Sequence, residues 1–197
     1  MTVSQILSVK VPASDHRYHG DSLRLAAFQQ TVDAGETGVC LVLVERADVA
    51  PIQVVVNAAA REASIVLPVP METRPFSFGT AFLFPEEICL VTEQTPEEIV
   101  SPARAAFPEV NLVIVTLERE TACIKAYDYG TERNQPALLE RSTEAAAAAA
   151  MVLHQDLENG TMESTIGQPG GILEIGMRKE HGKVTGLSAG GPVEMQK

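Results

Sequence analysis

The residues best placed to do chemistry are Arg141, Ser142, Thr143 and Glu144, which lead into six consecutive alanines, Ala145–Ala150, and then Met151-Val152-Leu153. Ser142 or Thr143 can cap a helix by accepting a backbone N–H, and Glu144 falls in its first turn, where the macrodipole favours a carboxylate. The pattern predicts a helix over 143–154 whose amino end can hold a small anion. Ser142, Thr143 and the amides behind them would hold a substrate carboxylate. Arg141 would bind an acidic group or pair with Glu144. Glu144 would serve as a general base where a dry setting raises its pKa; the plainer alternative is a first-turn acid that only stabilises the helix. Alanine is the best helix former and a very small side chain, so the run implies that a backbone or a bound molecule packs very close.

Other candidates carry less. His16 and His19, with Asp15 and Asp21 nearby, could ligate a metal, but the irregular polar stretch reads better as a solvated loop, and no metal site is expected. Cys40, Cys89 and Cys123 each lie in an apolar run and read as reduced, buried strand cysteines. Gly170-Gly171 lacks the Lys-Ser/Thr of a P-loop and any dinucleotide fingerprint, so it reads as a tight turn.

A net charge of −11 with no basic cluster argues against nucleic acid and anionic membrane surfaces as partners. The hydrophobic fraction of 45% is enough for a core, filled by Val, Leu, Ile and Ala because only 5% is aromatic. No stretch approaches the roughly 20 apolar residues of a membrane span. The amino-terminal residues lack a secretory pattern. A cytoplasmic protein is expected.

Along the chain, strands are expected at residues 4–12, 39–45, 52–56 and 64–69, with a helix over 21–34 ended by Gly35. Pro68 and Pro70 break the pattern, and residues 71–75 read as a linker. The chain therefore divides into halves of 1–70 and 71–197. In the second half, strands are expected at 76–84 and 88–92. A helix should start at Thr95-Pro96 with a defect at Pro102. Residues 110–117 and 122–127 should pair antiparallel. After the alanine helix, strands are expected at 172–177 and 184–187. The fold class is α+β.

The order of features over residues 76–197 resembles the diaminopimelate epimerase-like superfamily, which includes diaminopimelate epimerase, proline racemase, phenazine-biosynthesis isomerases and methylaconitate isomerases. The features are a strand with Asn111, a hairpin, a strand ending Tyr127-Asp128-Tyr129-Gly130, a small-residue helix, Pro169-Gly170-Gly171, and a final Gly191-Pro192-Val193-Glu194. In the first half, residues 38–44 and 52–62 are similar to the epimerase strand pair, but the cysteine-bearing loop and helix that should follow have no counterpart. The resemblance implies two pseudo-repeated halves, each a rolled, mostly antiparallel sheet around a central helix, the first half shortened, with ligand in the cleft between them.

The superfamily's racemases use one thiol from each half, one removing a proton and the other returning it. The second-half thiol position falls on Arg141 or on Glu144, depending on the motif aligned, so two-thiol racemisation is excluded. The resemblance makes Asn111 a substrate-binding residue and puts Asp128 and Tyr129 where the family has Glu and Arg. An acid and a phenol there could also carry proton transfer. The implied activity is cofactor-independent isomerisation, tautomerisation, or a related elimination or cyclisation of a small carboxylate or carbonyl substrate, with Glu144 and Asp128 as acid–base groups. The alternative is a catalytically degenerate relative that binds a ligand or a subunit. A shortened first half leaves apolar edges that a second copy could cover, so a homodimer fits either reading.

Overall fold

The computed structural model describes residues 3, 5–11, 20–46, 49–131 and 135–193. Contacts divide the chain into two compact units, Met1–Val66 with Ser188–Lys197, and Leu67–Leu187. The division by sequence left the last ten residues with the second half; in the structure the final strand runs from the second unit into the first. Thirteen strands and three helices occur among the described residues, an α+β chain. No helix among them is long and apolar enough to cross a membrane.

The first unit contains β1 (Gln5–Lys10), α1 (Gly20–Asp33), β2 (Val39–Arg46), β3 (Val49–Asn57) and β4 (Glu62–Leu67). β1 pairs parallel with β2, and β2, β3 and β4 follow antiparallel. Leu23, Ala27, Phe28 and Thr31 of α1 are buried, as are alternate strand residues Val42, Val44, Val54, Val56, Ala63 and Ile65. β2 alternates buried with half-buried residues, so only one face is fully enclosed. β3 begins before the strand expected at 52–56 and includes Pro51. The β2–β3 register shifts between Val44 and Arg46, and that irregularity accommodates a residue with no N–H to donate. Arg24 is buried, with Nε donating to Ala63 O at 2.7 Å and Nη2 to Gly191 O at 2.7 Å. It ties α1 to β4 and to the end of the last strand, satisfying carbonyls that would otherwise lose their partners on burial.

The second unit contains β5 (Glu72–Phe76), β6 (Gly79–Leu83), β7 (Ile88–Thr92), α2 (Pro96–Ala106), β8 (Leu112–Glu118), β9 (Cys123–Gly130), β10 (Ala137–Leu139), α3 (Thr143–Leu153), β11 (Gly160–Gln168), β12 (Gly171–Glu180) and β13 (Lys183–Pro192). Neighbouring strands run β13-β12-β11-β9-β8-β7-β6-β5, with β10 also on β9. The expected linker at 71–75 is β5, hairpinned to β6. Phe76 and Phe78 stack at 5.0 Å and Phe107 meets Phe76 edge-on at 5.7 Å. β11 was not expected at all. Its sequence, GTMESTIGQ, is polar, and its pairing with β12 over nine residues rests on the backbone ladder more than on apolar burial.

Side chains of β7, β8 and β9 alternate between two helices. Ile88, Leu90, Leu112, Ile114 and Tyr129 pack with Ile99, Ala103 and Phe107 on the α2 side. Cys89, Val113 and Ala126, all fully or almost fully buried, fall on the α3 side. Ala145–Ala150 are at most 1% exposed, so α3 is enclosed all round, packed against β7, β8, β9, β11 and β12. This is the physical reason for the alanine run: strands approach on every side and leave no room for larger side chains. Lys179 Nζ, on β12, donates to His154 O at 3.0 Å and Gln155 O at 3.2 Å, closing the carboxyl end of α3.

Candidate functional site

The amino end of α3 begins at Ser142, whose backbone is extended and whose Oγ accepts from Ala145 N at 3.2 Å. Ser142 N donates to Gln168 Oε1 at 2.8 Å, and Thr143 Oγ1 donates to Glu144 Oε2 at 2.8 Å. The Glu144 carboxylate also accepts a bond from its own backbone N–H. The amides of Ser142, Glu144 and Ala145 are therefore engaged by the protein, and an incoming anion would compete with these bonds.

Three further residues lie at neighbouring strand ends: Glu87 and Asn111 just ahead of the parallel pair β7 and β8, and Asp128 near the end of β9. Asn111 directly precedes β8, and its carbonyl accepts from Ile88 N at 2.9 Å. Glu87 directly precedes β7. Asp128 lies on β9 opposite Val113, is 9% exposed, and its Oδ1 accepts from Gly130 N at 2.8 Å. Glu87 was not singled out from the sequence. Its only signal is position: an acid immediately ahead of Ile88–Thr92, a strand buried along its whole length.

The electrostatics of this group are acidic. Burial first, then the charges of Glu144 and Asp128, push Glu87 from an ordinary 4.5 up to about 8, with a weak bond to Cys89 opposing and Glu86 adding. Glu144 is also raised, by burial above all; Thr143 and its own backbone N–H pull against the shift, and Glu86 adds to it. Glu144 keeps some exposed surface, yet protein atoms surround its carboxylate densely.

Cys89 Sγ lies 3.9 Å from Glu87 Oε1, and burial with the Glu87 and Glu144 charges drives its thiol well up, so it is not a thiolate at neutral pH. Cys40 is buried on β2; Cys123, expected to be buried, is exposed on β9. Tyr129 does not join the group. Strand alternation turns it to the α2 side, where burial raises its phenol, helped by Glu97 and Tyr127. The expected partnership of Asp128 and Tyr129 is thereby separated onto two faces.

Arg141 Nη2 donates to Ile172 O at 2.7 Å, and its stem lies along the Gly170-Gly171 turn. A Cβ on Gly170 would come within 2.8 Å of Arg141 Cγ and 3.0 Å of Glu140 O, so the glycine is required by close approach. Gln168, also unforeseen, holds Ser142 with Oε1 while its Nε2 is buried without an acceptor. His16 and His19 lie outside the described residues. Among those described, no group of three or more His, Cys, Asp or Glu side chains could hold a metal ion.

No family model matches the chain, and no curated protein matches it in sequence. Among solved structures, the chain is similar to a predicted epimerase, PA4716, from Pseudomonas aeruginosa, at 12% identity and a TM-score of 0.57, over 89% of this chain and 71% of that one. It also aligns with a putative phenazine biosynthesis PhzC/PhzF protein from Clostridium difficile (strain 630), at 10% identity and a TM-score of 0.49, over 91% and 72%. A probable proline racemase from Agrobacterium radiobacter K84 aligns at 10% identity and a TM-score of 0.48, over 87% and 63%. The chain has the diaminopimelate epimerase-like fold.

Proposed function

We propose that the protein is a cofactor-independent isomerase-type enzyme that moves a proton on a small carboxylate or carbonyl substrate without using a thiol. Glu144 removes the proton, and Asp128 sets the charge of the site and assists the transfer. Asn111, Arg141, Ser142 and Thr143 hold the substrate. Tyr129 is assigned to the core packed on α2.

The observation that carries this reading is the carboxyl of Glu144, raised by burial at the first turn of a helix enclosed by the unit's own strands. A carboxylate whose pKa is raised is a stronger base than a solvated one. The fold shared with a predicted epimerase supports an isomerase over other enzyme classes. The surrounding acids disfavour a second negative charge near Glu144. A substrate with one carboxylate at Arg141 and a carbonyl beside the reacting carbon fits best.

Thermal-shift measurement with 2-oxo acids and small hydroxy or amino acids tests the binding half of this reading. A ligand should raise Tm, and the rise should shrink in Asn111→Ala and Arg141→Ala. A panel with no effect on Tm would contradict it.

A further inference from the structure

Asn159-Gly160 ends the loop from α3 into β11 and has no part in the roles given above. It lies at the carboxyl end of α3, where Gly160 pairs with Lys179 of β12. Both residues are exposed. Gly160 has a φ of +111°, and a Cβ there would meet nothing within 4 Å. Backbone conformation, not packing, therefore calls for glycine, and its nitrogen has no side chain beside it to block approach. Asn159 Oδ1 accepts from His181 N at 3.0 Å, and Glu158 O accepts from Gly182 N at 2.8 Å. The loop so holds the turn between β12 and β13, where His181 and Gly182 both have positive φ. Among Asn57, Asn111, Asn134 and Asn159, only the last is followed by glycine.

The His181 N–H is a fixed donor on the one oxygen of Asn159 that would gain charge if a nucleophile reached Cγ, the arrangement of an oxyanion site. The nearest nucleophile is the next backbone nitrogen, Gly160 N, whose attack closes a succinimide ring. We propose that Asn159 is a site of covalent modification, deamidated through a succinimide in the folded protein. In the step, Gly160 N gives its proton to solvent base and bonds to Asn159 Cγ, while the C=O electron pair moves onto Oδ1 beneath the His181 N–H. The Cγ–Nδ2 bond then breaks, and Nδ2 takes a proton from water and leaves as ammonia. Water opens the ring at either carbonyl, giving aspartate or isoaspartate. Water is gained and ammonia lost, with no oxidation or reduction. Aspartate keeps an acceptor for His181 N and adds a negative charge. Isoaspartate lengthens the main chain between Glu158 and Gly160, so the loop no longer fits both His181 N and Gly182 N while β11 stays in register with β12, and the turn is released.

The test holds the full chain in warm, mildly alkaline buffer and follows it by peptide mapping with mass spectrometry and by enzymatic methylation of isoaspartate. The peptide bearing residue 159 should gain the mass of replacing NH2 by OH, at a rate proportional to hydroxide, while Asn57 and Asn111 stay unchanged in the same digests. Asn159→Gln, whose amide closes the larger ring far less readily, should lose the signal. Amide exchange at His181 and Gly182 should quicken in the isoaspartyl fraction and not in Asn159→Asp, which has the charge without the longer chain. No mass gain at residue 159, an equal gain at Asn57 and Asn111, or a gain that appears only in urea overturns the proposal. Unchanged exchange at His181 and Gly182 in the isoaspartyl fraction overturns the release of the turn.

Discussion

Thr143 Oγ1 donates to Glu144 Oε2 across 2.8 Å, and this neighbour's hydroxyl is the chief group holding the Glu144 carboxyl down against the effect of burial. Thr143→Val removes the donor while keeping the shape. The Glu144 titration midpoint, followed by carboxyl carbon NMR, should move up, and stability should fall by about 1–2 kcal/mol at neutral pH. A midpoint that stays put would show that the bond does not bear on ionisation.

The raised carboxyls set the pH dependence of folding. In the unfolded chain Glu87 releases its proton near 4.5; in the folded protein it does so at about 8. Between those values the folded state binds the extra proton, so stability falls as pH rises through the window, by at most ~1.4 kcal/mol per pH unit. Glu144 acts in the same direction. Denaturant titrations from pH 5 to 9 should show this decline. Glu87→Gln, which resembles the neutral acid, should flatten it, being close to neutral at pH 5 and stabilising at pH 9.

Enclosure of α3 makes its alanines intolerant of growth. Ala148 is fully buried, and Ala148→Leu should cost roughly 1–3 kcal/mol or more by overpacking. For a chain of this size that is a Tm lower by roughly 3–10 °C in calorimetry. An unchanged Tm would mean that the strands around α3 can move apart.

Lys179 is buried at the other end of the helix, bonded to His154 O and Gln155 O. Lys179→Met should leave those carbonyls short of a donor and cost about 1–3 kcal/mol. Amide exchange should rise first in the last turn of α3.

How much of this was legible in the sequence depends on whether a residue's neighbours are local. Ser142, Glu144 and Ala145–Ala150 announce α3 because capping and helix propensity act within a few residues. Pro96 and Gly35 mark α2 and α1 for the same reason. β11 was invisible because a polar strand is defined by its partner β12 and not by its own pattern. The β5–β6 hairpin was read as a linker and one strand, since Pro75 suppresses the strand signal. In the site, Glu144 and Asp128 were reachable by motif, whereas Glu87 and Gln168 matter only through what folds against them. Tyr129 was misplaced by treating Asp128-Tyr129 as a unit, although adjacent strand residues point to opposite faces.

In the proposed reaction the carboxyl of Glu144 moves a proton on a small substrate. Proton NMR in D2O, following loss of the C–H signal next to the carbonyl in a panel of 2-oxo acids, tests it most directly. The wild type should exchange with at least one member, and Glu144→Gln should lose roughly 10²–10⁴-fold. Exchange at the wild-type rate in Glu144→Gln would contradict it.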